Sequence, residues 1–381
     1  MLTVAEALDA VRSHARRLPP RPVPLRDARG LSLAEDVLAD LDLPPFDKAL
    51  VDGFAVRSAD VSGPVTLRVV ETIFAGQTPS RPLGPGEAAE VMTGAPLPEE
   101  ADAVVMVEKT SRPDAASVAL SGPVAPGQNR LVRGREMKAG EVVVAAGSDI
   151  NAARLGVLAS VGAARVIAWP RPGVAILATG DELVDFDRSP GPGQIRNSNT
   201  VLLTALIQQS GAVAHPWPIV SDRPDDLRSA FRVVVDFADI LLVSGGVSAG
   251  QKDLVPAALE AVGVRPVFHK VRVKPGKPLW FGVGPDRGDR PPALVFGLPG
   301  NPVSGLVSFL LFVRPALAIL SGREAEETTI TLPLATDYRH ADDRDVYRPA
   351  RLVEDGTKVE PLMWAGSSDL RGAASGDGFA I

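Results

Sequence analysis

Apolar and polar positions recur with different periods along the chain, and each period predicts a different element. In the opening MLTVAEALDAVRSHARR, Ala5, Leu8 and Val11 recur at helical spacing, and Thr3 with Glu6 reads as a Thr-x-x-Glu capping box. LPPRPVPLRDARG, with prolines at 19, 20, 22 and 24, ends that helix and connects it to a different domain. From about Ala39 to Val144, short Val-rich runs (PVTLRVVETIF, AVVMVEK, SVALSGPV, EVVVAAG) alternate with turn clusters such as TGAPLPEEAD. That texture predicts a small β-barrel or sandwich. INAARLGVLASVG, from Ile150, restores a helical period.

The third stretch is the most legible. GVAILATG (173–180) is a continuous apolar run ending in Gly, as a buried parallel strand should be. NTVLLTALIQQSG (199–211) reads as a helix, AVAHPWPIV follows it, and Ser221 or Asp222 is placed to cap a helix over SDRPDDLRSAFRVVVDF. DILLVSGG and ALVFGLPG then read as strands, while KDLVPAALEAVG and NPVSGLVSFLLFVRPALAIL read as helices. Strands alternating with helices predict right-handed βαβ units in a doubly wound, mostly parallel α/β domain, with β-rich domains beside it. After Ser321-Gly322 the β texture returns in TTITLPLATDY, DVYRPARLV and TKVEPLMW, and the chain stops at GDGFAI where a strand has only begun.

Composition narrows the chemistry. Gly and Pro number 36 and 35 in 381 residues, together about a fifth of the chain and below the share that marks disorder. There is no cysteine, which excludes disulfides, thiolate metal sites and a cysteine nucleophile. A net charge of −6 without a basic tract, and only 12 Phe, 4 Trp and 2 Tyr, argue against nucleic acid or an anionic membrane as partner. The N-terminus lacks an apolar signal core. The longest apolar run, Val303 to Leu320, carries Arg314-Pro315 in its middle and reads as a buried helix rather than a span. A soluble, cytoplasmic protein is expected.

In open α/β sheets, ligands bind beyond the carboxyl ends of the strands. Three Gly-rich loops leave such ends: ATGDELV (178–184), SGGVSAGQKDLVP (244–256) and FGLPGNPVS (296–304). Gly lets backbone approach a ligand closely, and helix N-termini favour anions. Lys274 and Lys277 of VRVKPGKPLW add positive charge, and Asp181, Glu182, Asp222 and Asp253 supply carboxylates. Such a set suits a Mg²⁺-bridged phosphate or oxyanion. Two motifs nearly match. Gly245 to Gly250 has P-loop spacing, but Gln251-Lys252-Asp253 stands where Lys-Ser/Thr is needed. Gly246-Val247-Ser248-Ala249-Gly250 fits the nucleophile-elbow pattern, which leaves open a serine hydrolase using Ser248 with His269 or His340.

The loops taken together resemble the molybdopterin molybdenumtransferase family, which includes the E domain of gephyrin and its plant counterpart. The matching segments are PPFDKALVDGFAVR (44–57), VMTGAPLPEEADAVVMVE (91–108), ATGDELV, GQIRNSNT (193–200), SDRPDDLR (221–228), VSGGVSAGQKDLV (243–255), KPGKPLWFG (274–282) and GLPGNPVS (297–304). They follow the family's order over almost the whole chain. FDKALVDGFAV departs from the family with Lys48, Leu50, Val51 and Phe54, and Glu136 stands where an Asp is common. These departures keep a second reading open, a non-catalytic paralogue acting as a scaffold.

The resemblance implies insertion of molybdate into adenylylated molybdopterin with Mg²⁺, releasing AMP, in an elongated homodimer with an intersubunit active site. An upstream adenylyltransferase would be a partner. It implies, with the hydrophobic pattern, an N-terminal helix (1–21) packing with the α/β domain and a discontinuous connecting domain (22–40 and 145–168). A β-rich domain (41–144), an α/β molybdopterin-binding domain (169–322) and a C-terminal β-domain (323–381) complete the division. Carried over by motif, Asp52 and Thr93 face the site from the partner chain. Glu182, Ser248 and Asp253 match catalytic positions, and Asp222, Asp253 and Glu182 match metal-linked ones. Lys274 and Lys277 match lysines that approach molybdate and phosphate. Pro299, Asn301, Pro302 and Ser304 match the third loop, and Arg348 and Ser375 correspond to molybdate-site residues.

Overall fold

Thr3 caps the first helix, α1 (Val4–His14), in a complete capping box with Glu6, and Ala7, Leu8 and Val11 form its buried face. Of the prolines that follow, Pro22 and Pro24 lie within a short strand β1 (Arg21–Pro24), and β2 (Ser32–Leu33) comes next. The computed structural model describes residues 1–247, 254–325, 329–339 and 343–381. They divide into two units, Met1–Glu35 with Ala146–Asn151 and Arg165–Ile381, and Asp36–Ala145 with Ala152–Ala164.

The second unit is built on β3 (Gly53–Val56), β4 (Val65–Ile73), β5 (Glu87–Val91), β6 (Ala103–Met106), β7 (Thr110–Asp114) and β8 (Ser117–Leu120). They form one six-stranded sheet in the order β6-β3-β5-β4-β8-β7, so a single mixed sheet stands where a barrel or sandwich was expected. Only β4 and β5 run parallel. Strand alternation gives each face its own core: Ala55, Ala89 and Val104 on one side, Phe54, Val56, Ala88 and Val105 on the other. Helix α2 (Ala152–Ser160) closes this unit's chain.

In the first unit, β9 (Arg165–Trp169) pairs antiparallel with β1 and β2. There follow β10 (Gly173–Ala178), α3 (Ser198–Gln209), β11 (Val213–Pro216), α4 (Pro224–Phe237), β12 (Ile240–Ser244) and α5 (Val255–Ala261). β13 (Arg265–His269), β14 (Trp280–Val283) and β15 (Leu294–Leu298) complete the sheet. Its order is β11-β10-β12-β15-β14-β13. β11, β10, β12 and β15 are parallel, whereas β14 and β13 add an antiparallel edge that the sequence pattern did not announce.

Because successive side chains on a strand point to opposite faces, β10 sends Val174 and Ile176 into a core shared with α1, α3 and the long apolar helix α6 (Pro302–Leu320). Ala175 and Leu177 enter a core shared with α4 and α5. The doubly wound, mostly parallel sheet is therefore present. The first strand, β10, lies between the second and the third, so the winding reverses between the ends of β10 and β12. Helix α6 is apolar enough to cross a membrane by composition (mean hydropathy 2.1), yet 67% of that stretch is buried, with Phe309, Phe312, Val313 and Leu317 against the sheet.

At the C-terminal end, β16 (Arg348–Val353) is flanked by β17 (Lys358–Pro361) and β18 (Gly378–Ala380). The segment 329–338, expected as a strand, meets β17 only through an isolated bridge at Leu334. Pro333 within it lacks the N–H that a longer ladder would need.

Candidate active site

The reversal point is where the strand-end loops meet. Just past β10, the Thr179 amide donates to the Ser244 carbonyl at the end of β12 (3.1 Å). The Thr179 hydroxyl donates to Asp222 Oδ1 at 2.5 Å. The Asp222 amide in turn donates to Asp181 Oδ1 at 3.3 Å. Two carboxylates from different loops are thereby gathered around one strand end. Glu182 folds back over Gly180, so closely that a Cβ there would sit 2.6 Å from Oε2.

Asp222 is not the helix cap that its position suggested. Helix α4 begins with Arg223 at the N-cap position, with no side-chain cap and Pro224 in its first turn. The Ser221 hydroxyl instead donates to Asp226 Oδ2 (2.5 Å), inside the helix. Proline needs no N–H partner at the helix start, so Asp222 is left for Thr179.

The second and third loops close on the first. Gly245 has φ of +98°, and a Cβ there would lie 2.7 Å from the Thr179 carbonyl oxygen, so only glycine fits. Its amide donates to Leu298 O at the end of β15 (3.2 Å). Asn199, in the first turn of α3, donates from Nδ2 to Ser244 Oγ and to Gly300 O, both at 2.8 Å. In the third loop Pro299 and Ser304 are buried and Pro302 starts α6. Asn301 Nδ2 donates to Ser367 Oγ at 2.8 Å, and the Val303 amide donates to Ser367 O at 3.1 Å. Thr179, Asn199 and Ser367 were not singled out from sequence. The position of Thr179 beside the strand-end glycine was the available signal for the first.

Lys274 and Lys277 are exposed on the loop between β13 and β14. That loop is held from two sides. Val273-Lys274 pairs with Asp345-Val346, and the Tyr347 amide donates to Lys274 O at 2.7 Å. On the other side Gly276 lies over α6, where a Cβ would meet Ser308 Oγ at 3.2 Å. Arg348 donates to Leu362 O (2.9 Å) and stacks on Tyr338, while the Ser375 hydroxyl donates to Gly372 O (2.9 Å) on its own short helix. Ser248 and Asp253 lie outside the described residues.

In the other unit, Asp52 Oδ1 accepts from both the hydroxyl and the amide of Thr93, each at 2.7 Å. The hydroxyl first and the amide second hold the Asp52 carboxyl below its ordinary pKa. Asp52 is thus an anion near neutral pH.

Among the described residues no three His, Asp or Glu side chains form a metal-holding group. The donors at the reversal point, Asp181, Glu182 and Asp222, are nevertheless all oxygens. Mg²⁺ prefers oxygen, and in phosphate sites it takes one or two carboxylates and completes its shell with substrate phosphate and water. The donor chemistry fits that ion. For the serine hydrolase reading, His269 Nε2 meets the Val247 carbonyl at 3.1 Å and must therefore carry the proton there, which leaves that nitrogen no role as a base. His340 lies outside the described residues.

Comparison with known proteins decides the family. Residues 2–162 match the model described as "MoeA N-terminal region (domain I and II)", and residues 175–319 match "Probable molybdopterin binding domain". A molybdopterin molybdenumtransferase of Nostoc sp. is 40% identical over 306 residues, 79% of this chain and 69% of that protein. Its Staphylococcus aureus counterpart is 34% identical over 371 residues, 94% of this chain and 86% of that one. The chain belongs to the molybdopterin molybdenumtransferase family. Its structure is similar to that of a molybdopterin biosynthesis protein from Pyrococcus horikoshii, with TM-score 0.80, 28% identity and coverage of 100% of this chain and 94% of the other. Membership in this family of transferases ties the chain to molybdenum cofactor biosynthesis. All three strand-end loops and the lysine loop fall within the region matched by the molybdopterin-binding model.

Proposed function

We propose that the protein inserts molybdate into adenylylated molybdopterin and releases AMP. The observation that carries this reading is the convergence of Thr179, Asp181, Asp222, Gly245 and Gly300 at the reversal point of the parallel sheet, with Lys274 and Lys277 on a neighbouring loop of the same unit. Breaking an adenylate linkage moves negative charge onto phosphate oxygens, and fixed backbone amides and cations lower the barrier by stabilising it there. In this reading the loop amides and the two lysines bind the phosphate and molybdate oxygens. Asp222 and Asp181 (with Glu182 and Asp253) would hold Mg²⁺, which when bound neutralises phosphate charge.

Thr179 fixes the rotamer of Asp222 by committing one carboxylate oxygen to the protein. Little proton transfer is demanded of the chain. That agrees with a site rich in carboxylates, lysines and glycine rather than histidine. Asp52 and Thr93 act, in the same reading, from the partner chain of a homodimer. The test is direct: purified protein with adenylylated molybdopterin, molybdate and Mg²⁺ should release AMP and form the cofactor. Asp222→Ala should lower that rate at least tenfold. No AMP from the wild-type protein would remove the proposal.

A further inference from the structure

We infer that Asn199 is a positioning residue, whose single amide ties the end of β12 to the loop after β15 in the arrangement the substrate meets. Its Nδ2 donates one hydrogen to Ser244 Oγ and the other to Gly300 O, each at 2.8 Å. The orientation of that amide is set by chemistry: a backbone carbonyl only accepts, so the NH₂ side must face Gly300.

The need for such a tether follows from the ladder. β12 and β15 pair from Ile240↔Leu294 to Ser244↔Leu298, and the register ends there. Gly300 lies beyond the last pair, where main-chain bonding between the two strands no longer fixes the backbone. Two glycines, Gly245 and Gly300, approach at this point, a Cβ on Gly300 lying 3.9 Å from Gly245 Cα. Glycine segments without a tether populate many conformations. Asn199 sits on α3, which is reached from β10, so one side chain gathers loops from three strands.

Asn is a poor helix residue, and here its side chain leaves the helix to serve other elements rather than its own backbone. The Ala or Leu that helix propensity would favour at this position could make neither bond. Asn199 Oδ1 is buried and has no hydrogen-bond partner among the described residues, so the side chain is held in place through its NH₂ side alone.

The proposal rests on the reading of this site as the molybdopterin site, and its test separates the two. In the ligand-free full chain, Asn199→Ala should speed hydrogen exchange of the Gly245 amide, and of peptides covering 298–301, by roughly tenfold, the effect expected from losing two hydrogen bonds. Exchange in the β-sheet unit should stay close to wild type. With adenylylated molybdopterin and molybdate, the same variant should lose at least tenfold in kcat while KM changes less than threefold. Asn199→Asp, which puts a carboxylate oxygen against Gly300 O, should do no better than alanine in either measurement. Unchanged exchange in both loops, or acceleration spread over the whole unit, overturns the tether. Wild-type turnover with an unimpaired Asn199→Ala rate overturns the positioning role. If the wild-type protein releases no AMP, the proposed function falls and the exchange experiment still judges the tether.

Discussion

The hydroxyl of Thr179 points its proton at Asp222 across 43 residues of sequence, joining the end of the first parallel strand to the entrance of α4. A hydrogen bond to a carboxylate is worth more than one between neutral groups, but Asp222 is exposed and part of that worth is lost to water. Thr179→Val should therefore cost about 1 kcal/mol in urea unfolding. Turnover should fall more steeply, since Asp222 would lose its fixed rotamer. Thr179→Ser, which keeps the hydroxyl, should restore most of both. A valine variant with wild-type turnover would show that the contact is structural only.

Gly245 offers a sharper stability test. Any side chain there faces both an unfavourable φ of +98° and the Thr179 carbonyl at 2.7 Å. Gly245→Ala should lower stability by more than about 2 kcal/mol, the range of a backbone clash combined with strain. A thermal melt would show this as a drop of several degrees, and an unchanged melt would contradict the described loop.

Acid stability should depend on Glu87 in the β-sheet unit. Its carboxylate accepts from Arg81 at 2.8 Å and from the Gly84 amide at 2.9 Å, and it pairs with Arg68. Those contacts, Arg81 foremost, pull its pKa from 4.5 down to about 2. A depressed folded-state pKa gives stability that is complete above the unfolded value and declines as pH falls from near 4.5 toward 2. Glu87→Gln should flatten the unfolding curve in that window and leave its slope between pH 6 and 8 untouched. Equal acid slopes for both proteins would exclude Glu87 as a contributor.

The Asp52–Thr93 contact predicts a titration shift. Carbon-detected NMR should find the Asp52 carboxyl titrating below 3.8 in the wild-type protein. Thr93→Val removes the larger of the two causes and keeps the amide, so the midpoint should move up toward the ordinary value. A midpoint that stays put would mean that the hydroxyl does not hold the carboxylate in solution.

The proposed homodimer can be checked by complementation. Asp52→Ala and Asp222→Ala chains should each be inactive alone. If the two residues meet in one site from different chains, a mixed dimer carries one intact site. Equal co-expression should then recover up to about a quarter of wild-type activity. Recovery of none, with mixed dimers verified by mass, would place both residues in one chain's site.

Much of this was readable in the residues. GVAILATG announced a buried parallel strand because both of its faces are apolar, and both faces do meet separate cores. Thr3 and Glu6 announced the first helix through local hydrogen bonds that depend on nothing distant. The β13–β14 edge escaped notice because a buried antiparallel strand such as WFGV carries the same apolar signature as a parallel one. The cap reading of Asp222 fails for a similar reason. An Asp two residues before a helix looks like a cap, and only the fold reveals that Thr179 lies within reach. Asn199 stands in the matching segment GQIRNSNT and Ser367 in none, but in both cases what the side chain holds is remote in sequence.

The strand-end constellation also fixes when, during synthesis, the site can first exist. Its members come from Thr179, Asp222, Ser244 and Gly300, and Gly300 closes the set next to the buried helix α6. A nascent chain that has not yet released residue 300 from the ribosome lacks the Gly300 carbonyl to which Asn199 donates. The strand-end contacts are thereby complete only once the chain has also begun to expose its most water-averse segment, which starts at Pro302.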